Sequence, residues 1–311
     1  MASDISDISL PSSVDPSLPS SQSDDSEMMA LEVRSAFSEP VELPLDENDL
    51  GVVLPPDIGL DEPISDDDGG EHAGCVCVVS DLVPSPGDAM ALTGRHDVAE
   101  YYSPPRVLPI ARAKGRSGSL SLDLNVGWDF RSKHLRDLSL RLLTVLQIKL
   151  LILSPPCTIF SELQRLWNKK KMLPHVWDER WAEGKLYLSH SMHCARRQCD
   201  EGRKFVFEHP ERASSWKEEA VEALQNLPGV QLVVVDLCML GLRSKVSGIP
   251  MRKRTKFMTN CCKIAQRFAS VGLCDRTHEH EVIQGSEGGV RRSAWAQCYP
   301  APLCDILADS V

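Results

Sequence analysis

The sequence predicts an α/β fold, a sheet covered by helices on both faces, behind an acidic N-terminal segment expected to be disordered. Three observations carry this reading. Charge is segregated: residues 1–94 hold 21 acidic residues and one basic residue, Arg34, a net of −20. The whole chain is at −10, which leaves 23 acidic and 33 basic residues in 95–311, a net of +10. From residue 96, short apolar runs alternate with longer amphipathic ones, the pattern of strands joined by crossover helices. Two of the apolar runs stop at prolines, Pro155-Pro156 and Pro210, which end strands by removing amide donors. The expected organisation is a leader over 1–94 and one α/β domain over 95–311, long enough for one sizeable core.

Taken in order, the leader is rich in Ser, Pro and Asp, as in PSSVDPSLPSSQSDDSE and DEPISDDDGGE. Low hydrophobicity and like charge cannot offset the entropy of ordering such a chain. Cys75-x-Cys77 within it reads as part of a short apolar patch, because no second pair of ligands is nearby. The leader is either a linker from a larger polyprotein or a polyanion that competes with nucleic acid for the basic domain. In that domain DVAEYY (97–102) reads as a strand, 107–114 as a helix and SLSLDL (119–124) as a strand ending at Asp123. Leu135, Leu138, Leu142, Leu143 and Leu146 recur at helical spacing over 132–147. KLLILS (149–154) is a buried-type strand, 180–201 a helix and KFVFEH (204–209) a strand. A helix capped by Ser214 or Ser215 is expected to run to Leu227, followed by strands at 230–237 and 256–260 and a weak final helix.

Whole classes of function fall away. No apolar run reaches the roughly 18 residues of a membrane span, and MASDISDISL has neither the positive region nor the apolar stretch of a secretory signal. An intracellular chain is expected. Its 11 cysteines, odd in number and without framework spacing, read as thiols.

In α/β sheets ligands gather at the carboxyl ends of strands. Glu100, Asp123, Pro155 to Ser161, Glu208 to Pro210 and Asp236 are therefore the positions to read. In SPPCTIFS (154–161), Cys157 follows a buried strand and two prolines, so its thiol is held on a rigid turn. Such a residue is either a nucleophile or an inert buried cysteine. Glu208 ends an apolar strand, where burial favours a protonated acid, unless an arginine pairs with it.

These segments together resemble one family. SPPCTIFS is similar to the Pro-Cys motif of cytosine-5 DNA methyltransferases, and FEHP stands where that family has its catalytic Glu-Asn-Val. IPMRKRTKF (249–257) resembles its later Arg-rich motif, and AQCYPAPLCDIL (296–307) a motif that packs beside the cofactor site. DVAEYYSPP and SLSLDLNVGWDF fall where the family has its first cofactor strand and its ribose-binding acid. The resemblance covers about 97–309 with the motifs in order, and is closer still to methyltransferase-like segments of retroelement polyproteins.

The resemblance implies a Rossmann-like methyltransferase sheet and transfer of a methyl group from S-adenosyl-L-methionine to C5 of cytosine. Cys157 would add to C6, Glu208 would hold a proton against N3, and Arg252 and Arg254 would face the base or a phosphate. Glu100, Ser103, Asp123, Trp128 and Pro155 would line the cofactor, with Trp128 or Phe130 stacking near the adenine. The expected partner is nucleic acid, DNA rather than RNA, with the target base flipped out of any duplex. The run Arg252 to Lys256 resembles a nuclear import signal.

The sequence departs from the family pattern at four places. Tyr102-Ser103-Pro104-Pro105-Arg106 replaces a glycine-rich turn, Glu-His-Pro replaces Glu-Asn-Val, and Met251 stands nearest the expected Gln. Only about 35 residues separate Asn260 from Ala296, too few for a target-recognition domain. Recognition would then come from another subunit or from another part of a larger polyprotein. The alternative is a catalytically inactive module that keeps the fold and binds nucleic acid. A third reading, a thiol hydrolase with His209 as base, suffers because neighbours on a strand point to opposite faces. Separately, Cys274-x3-His278-x-His280 offers three ligands within seven residues for zinc, with Cys261, Cys262 or Cys298 as a fourth, but the spacing matches no standard finger and reads equally as a solvated loop with incidental histidines.

Overall fold

The computed structural model describes residues 83–162, 164–287 and 290–311. The leader as far as residue 82, including Cys75 and Cys77, lies outside the described residues. Residues 83–94, assigned by composition to the leader, belong to the domain. Ser85 caps a single helical turn, Pro86–Ala89, whose Ala89 is fully buried, and the Trp128 indole N–H donates to the carbonyl of Pro84 at 2.8 Å.

The fold is mixed α/β, built on a six-stranded mixed sheet. Its strands are β1 (Val98–Tyr101), β2 (Ser119–Leu122), β3 (Leu150–Leu153), β4 (Lys204–Pro210), β5 (Gln231–Asp236) and β6 (Arg254–Thr259). They lie in the order β2-β1-β3-β4-β6-β5. The first four are parallel, and β6 runs antiparallel to both its neighbours. The chain passes from β1 out to β2 and then back across β1 to β3. The strand order thus reverses between β1 and β3, which makes that gap the topological switch point.

Every side chain of β1 and β3 is buried, yet successive residues serve opposite faces. Ala99, Tyr101, Leu151, Leu153, Phe205, Phe207 and Met258 belong to one core, whereas Val98, Leu150, Ile152, Val206 and Phe257 belong to the other. The first core is closed by α2 (Lys133–Val145), α3 (Pro174–Asp200) and α4 (Glu219–Gln225). The second is closed by α1 (Leu108–Ala113), α5 (Cys262–Val271) and α6 (Ala301–Ala308). Three layers result, as the continuous apolar strands imply.

Differences from the sequence reading are local. Helix α3 starts six residues earlier than expected, because Pro174 occupies the first helical position, where its missing N–H costs nothing. Neither Ser214 nor Ser215 caps α4; they open a 3₁₀ turn, Ser214–Lys217, and Glu218 precedes the helix proper. Among the described residues, no helix is long and apolar enough to cross a membrane.

Candidate functional site

The carboxyl ends of β3 and β4 bring the two key side chains together. After β3 the chain runs through buried Pro155 and exposed Pro156 to the partly buried Cys157, then turns through a 3₁₀ helix, Thr158–Phe160. The turn is pinned from β4. His209 contacts the Pro155 carbonyl through Nε2 at 3.1 Å and Ser215 Oγ through Nδ1 at 2.7 Å. A carbonyl only accepts, so Nε2 carries the proton and Nδ1 accepts from the serine. Burial holds His209 neutral, with its pKa lowered to about 4. With both nitrogens engaged, His209 does not serve as a base for Cys157, which removes the thiol-hydrolase arrangement. It acts instead as a clamp on the Cys157 turn.

Glu208, one residue earlier on β4, projects to the opposite face and is 6 % exposed. It is close enough to Cys157 to raise the pKa of the thiol. Burial is the larger cause of that rise, and the Lys253 ammonium opposes both. Lys253 lies 3.4 Å from Glu208 Oε1. The Cys157 thiol, disfavoured from ionising, thus stands near the Glu208–Lys253 ion pair.

The two arginines expected at this edge are elsewhere. Arg254 enters β6 opposite Asp236 and grips its carboxylate through Nε (2.9 Å) and Nη2 (2.8 Å). Arg252 lines a separate open cavity of about 650 Å³ with Arg276, His278 and His280; neither Cys157 nor Glu208 lines it. Lys253, between them in sequence, is the cation that reaches this edge, at Glu208. The basic run signalled a cation, but only strand register selects which one.

Of the expected cofactor residues, Glu100 projects towards α1. Its Oε1 accepts the N–H groups of Arg106 (2.9 Å), Val107 (2.7 Å) and Leu108 (2.9 Å), supplying a cap that α1 otherwise lacks. Burial lifts its pKa to about 7 against the pull of those donors. Its Oε2 is buried, without a hydrogen-bond partner among the described residues. Ser103 is buried, its hydroxyl turned onto the Pro104 carbonyl at 2.9 Å. Asp123 caps the turn after β2 by accepting the Asn125 N–H at 2.9 Å. Trp128 does not have the role expected of it: its ring is fully buried in the core, and Phe130, 2 % exposed, packs on Tyr102 at 4.4 Å. Neither ring offers an open face to an adenine.

Tyr102, which opens the stretch standing in place of the glycine-rich turn, has φ 64°. That left-handed backbone costs a non-glycine residue of order 1–2 kcal/mol. The ring recovers stability against Phe130, Tyr187 and His190. Tyr299, which sequence reasoning did not single out, hydrogen-bonds Ser154 at 2.6 Å just past β3 and is within electrostatic reach of both Glu100 and Glu208. It bridges the switch-point gap.

At the far end of the sheet Cys274, His278 and His280 come together, and the fourth member is Cys238, in the turn after β5. Cys261 is buried in the core, Cys262 is exposed on α5, and neither they nor Cys298 join the group.

No protein-family model matches the chain, and a search of curated proteins finds no match.

Proposed function

We propose that the domain is a Rossmann-like methyltransferase acting at C5 of cytosine in nucleic acid. The observation that carries this is the placement of Cys157 and Glu208 within electrostatic reach of each other at the carboxyl ends of adjacent parallel strands, next to the switch point between β1 and β3. Addition of the Cys157 thiolate to C6 makes C5 enamine-like. The proton released as Cys157 ionises is balanced by one taken up at the Glu208 carboxylate, which holds it against N3 and keeps negative charge from building on the ring. Protonated Glu208 also ceases to oppose ionisation of Cys157, so docking of the base and activation of the thiol are coupled. Loss of the C5 proton and elimination of the thiolate restore the aromatic base.

S-adenosyl-L-methionine, when bound, supplies the electrophilic methyl group. The fit of this chain to that cofactor rests on its acidic end. Glu100 Oε2 is a buried acceptor in need of a donor, and Asp123 stands at the end of the adjacent strand. An adenine contact by Trp128 forms no part of the proposal.

The test is incubation of the full chain with methyl-labelled cofactor and cytosine-containing single-stranded DNA, duplex DNA and RNA. Label transfer that is abolished in Cys157→Ala is expected. An oligonucleotide with 5-fluorocytosine, which cannot lose its C5 substituent as a proton, should trap a denaturation-resistant adduct. Undiminished transfer in Cys157→Ala would refute the nucleophile.

A second reading has its own support. Trp128 and Phe130 turned into the core, and the Tyr299–Ser154 bond across the switch point, suit a module that binds nucleic acid without turnover. It predicts no heat on titration with the cofactor while nucleic-acid binding persists. It also fits a separate recognition partner or a retroelement-type polyprotein.

A further inference from the structure

We propose that Cys238, Cys274, His278 and His280 form a closed structural zinc site that staples the basic segment 250–254 to the sheet. The four ligand atoms lie within 4.8 Å of one another. Bonds of about 2.3 Å to sulfur and about 2.0 Å to nitrogen in a tetrahedron place ligand atoms about 3.3–3.8 Å apart. Cys274 Sγ lies 3.7 Å from His278 Nε2 and 3.4 Å from His280 Nε2, and the two rings are 4.4 Å apart at their centroids. A pair of thiolates and a pair of neutral imidazoles balance the charge of a divalent ion and suit zinc in hardness.

The surroundings are those of a held ligand set. The Arg276 N–H points at Cys274 Sγ at 3.3 Å, in a turn whose Arg276 has φ 65°. The Cys274 N–H donates to Asp236 Oδ2 at 3.1 Å, and Asp236 is itself gripped by Arg254. Such outer contacts orient ligands. Cys238 and Cys274 are buried and the histidines half-buried, so all four corners are filled from the protein and the site is structural rather than catalytic.

The topology gives the staple its purpose. Cys238 follows β5, and the other three ligands lie on the loop after α5. That loop continues to Glu281, whose N–H donates to the Pro250 carbonyl at 2.8 Å and which bridges Met251. Arg252 and Lys253 follow at once. The ion would thus fix the segment that carries Lys253 to Glu208. The site itself depends on no particular reading of Cys157.

The experiment is elemental analysis of the full chain purified under reducing conditions without chelators, then Co2+ substitution of the stripped protein. One zinc per chain is expected, with the intense visible bands of four-coordinate Co2+ and a thiolate charge-transfer band. Loss of an outer partner costs a metal site about 10–100-fold in affinity, so His280→Gln should weaken zinc binding by more than about 100-fold. If Cys274→Ser fails to fold, His278→Gln and His280→Gln keep both buried thiols and decide the matter, as does a chelator-induced fall in Tm that zinc reverses and magnesium does not. Zinc near zero after reconstitution would overturn the site. So would Co2+ spectra without the thiolate band, a Cys238–Cys274 disulfide in the reduced preparation, or retention unchanged in His280→Gln.

Discussion

At the scale of single residues, the chemistry of the proposed edge turns on three charges. Cys157 is held as a thiol first by burial and then by Glu208, with Lys253 working the other way. An opposite charge favours ionisation and a like charge disfavours it. Glu208→Gln should therefore lower the Cys157 pKa and speed its alkylation at pH 8, whereas Lys253→Met should raise it and slow alkylation. Peptide-resolved iodoacetamide labelling across pH separates Cys157 from the more exposed Cys262. Rates unmoved by Glu208→Gln would mean that the two groups do not communicate, and the coupling of base docking to thiol activation would go with them. The positions of Cys157 and Glu208 were legible because apolar runs mark both strands: Cys157 lies just past β3 and Glu208 near the end of β4. It could not choose Lys253 over Arg254, since pairing of β6 with β5 commits Arg254 to Asp236, and register is a tertiary property.

At the scale of elements, α3 and β4 each bury a neutral histidine that locks neighbouring pieces together. His190 on α3 meets the Tyr102 hydroxyl through Nδ1 at 2.5 Å and Ser139 of α2 through Nε2 at 2.9 Å. Burial, with Arg136 adding to it, lowers its pKa to about 3. His209 on β4 is lowered to about 4. Both folded values lie below the unfolded value near 6.5, so the stabilisation is complete above pH 6.5 and is lost as pH falls towards 4 and 3. Within that window each histidine should add a slope of about 1.4 kcal/mol per pH unit to the unfolding free energy. Urea unfolding of wild type and His190→Gln between pH 6.5 and 4.5 measures this: the variant should lose one histidine's share of the slope. Equal slopes would show that His190 is not buried neutral. Most elements were legible because apolar runs and leucine spacing decide them. Helix α6 was not: its eight residues are short, and it opens on Pro300 and Pro302, a proline being tolerated in the first turn of a helix. Cys238 was equally hidden: 36 positions separate it from Cys274, and only the return of α5 alongside β5 brings them together.

At the scale of the whole molecule, composition and structure bear on one question, how a chain of net −10 engages a polyanion. The negative charge is concentrated in residues 1–82, which hold 20 acidic residues and one basic, and the remaining 24 acidic and 33 basic residues put the domain from residue 83 at +9. Its cations are partly spent: Arg254 on Asp236, Arg131 on Asp129, Lys149 on Asp97. Others, including the Lys169–Lys171 run, remain exposed for phosphates. Phosphate binding is driven by counterion release and is steeply salt-dependent. Under the proposed function, an acidic segment tethered to the same chain would compete for those cations at high effective concentration, and salt would weaken that competition too. Removal of residues 1–82 should therefore tighten binding to a labelled oligonucleotide by about tenfold or more at about 50 mM salt, with a gap that narrows as ionic strength rises. Fluorescence anisotropy of the two proteins over a salt series reads this directly. A truncated chain that binds no better at low salt would show that the leader does not compete for the basic surface.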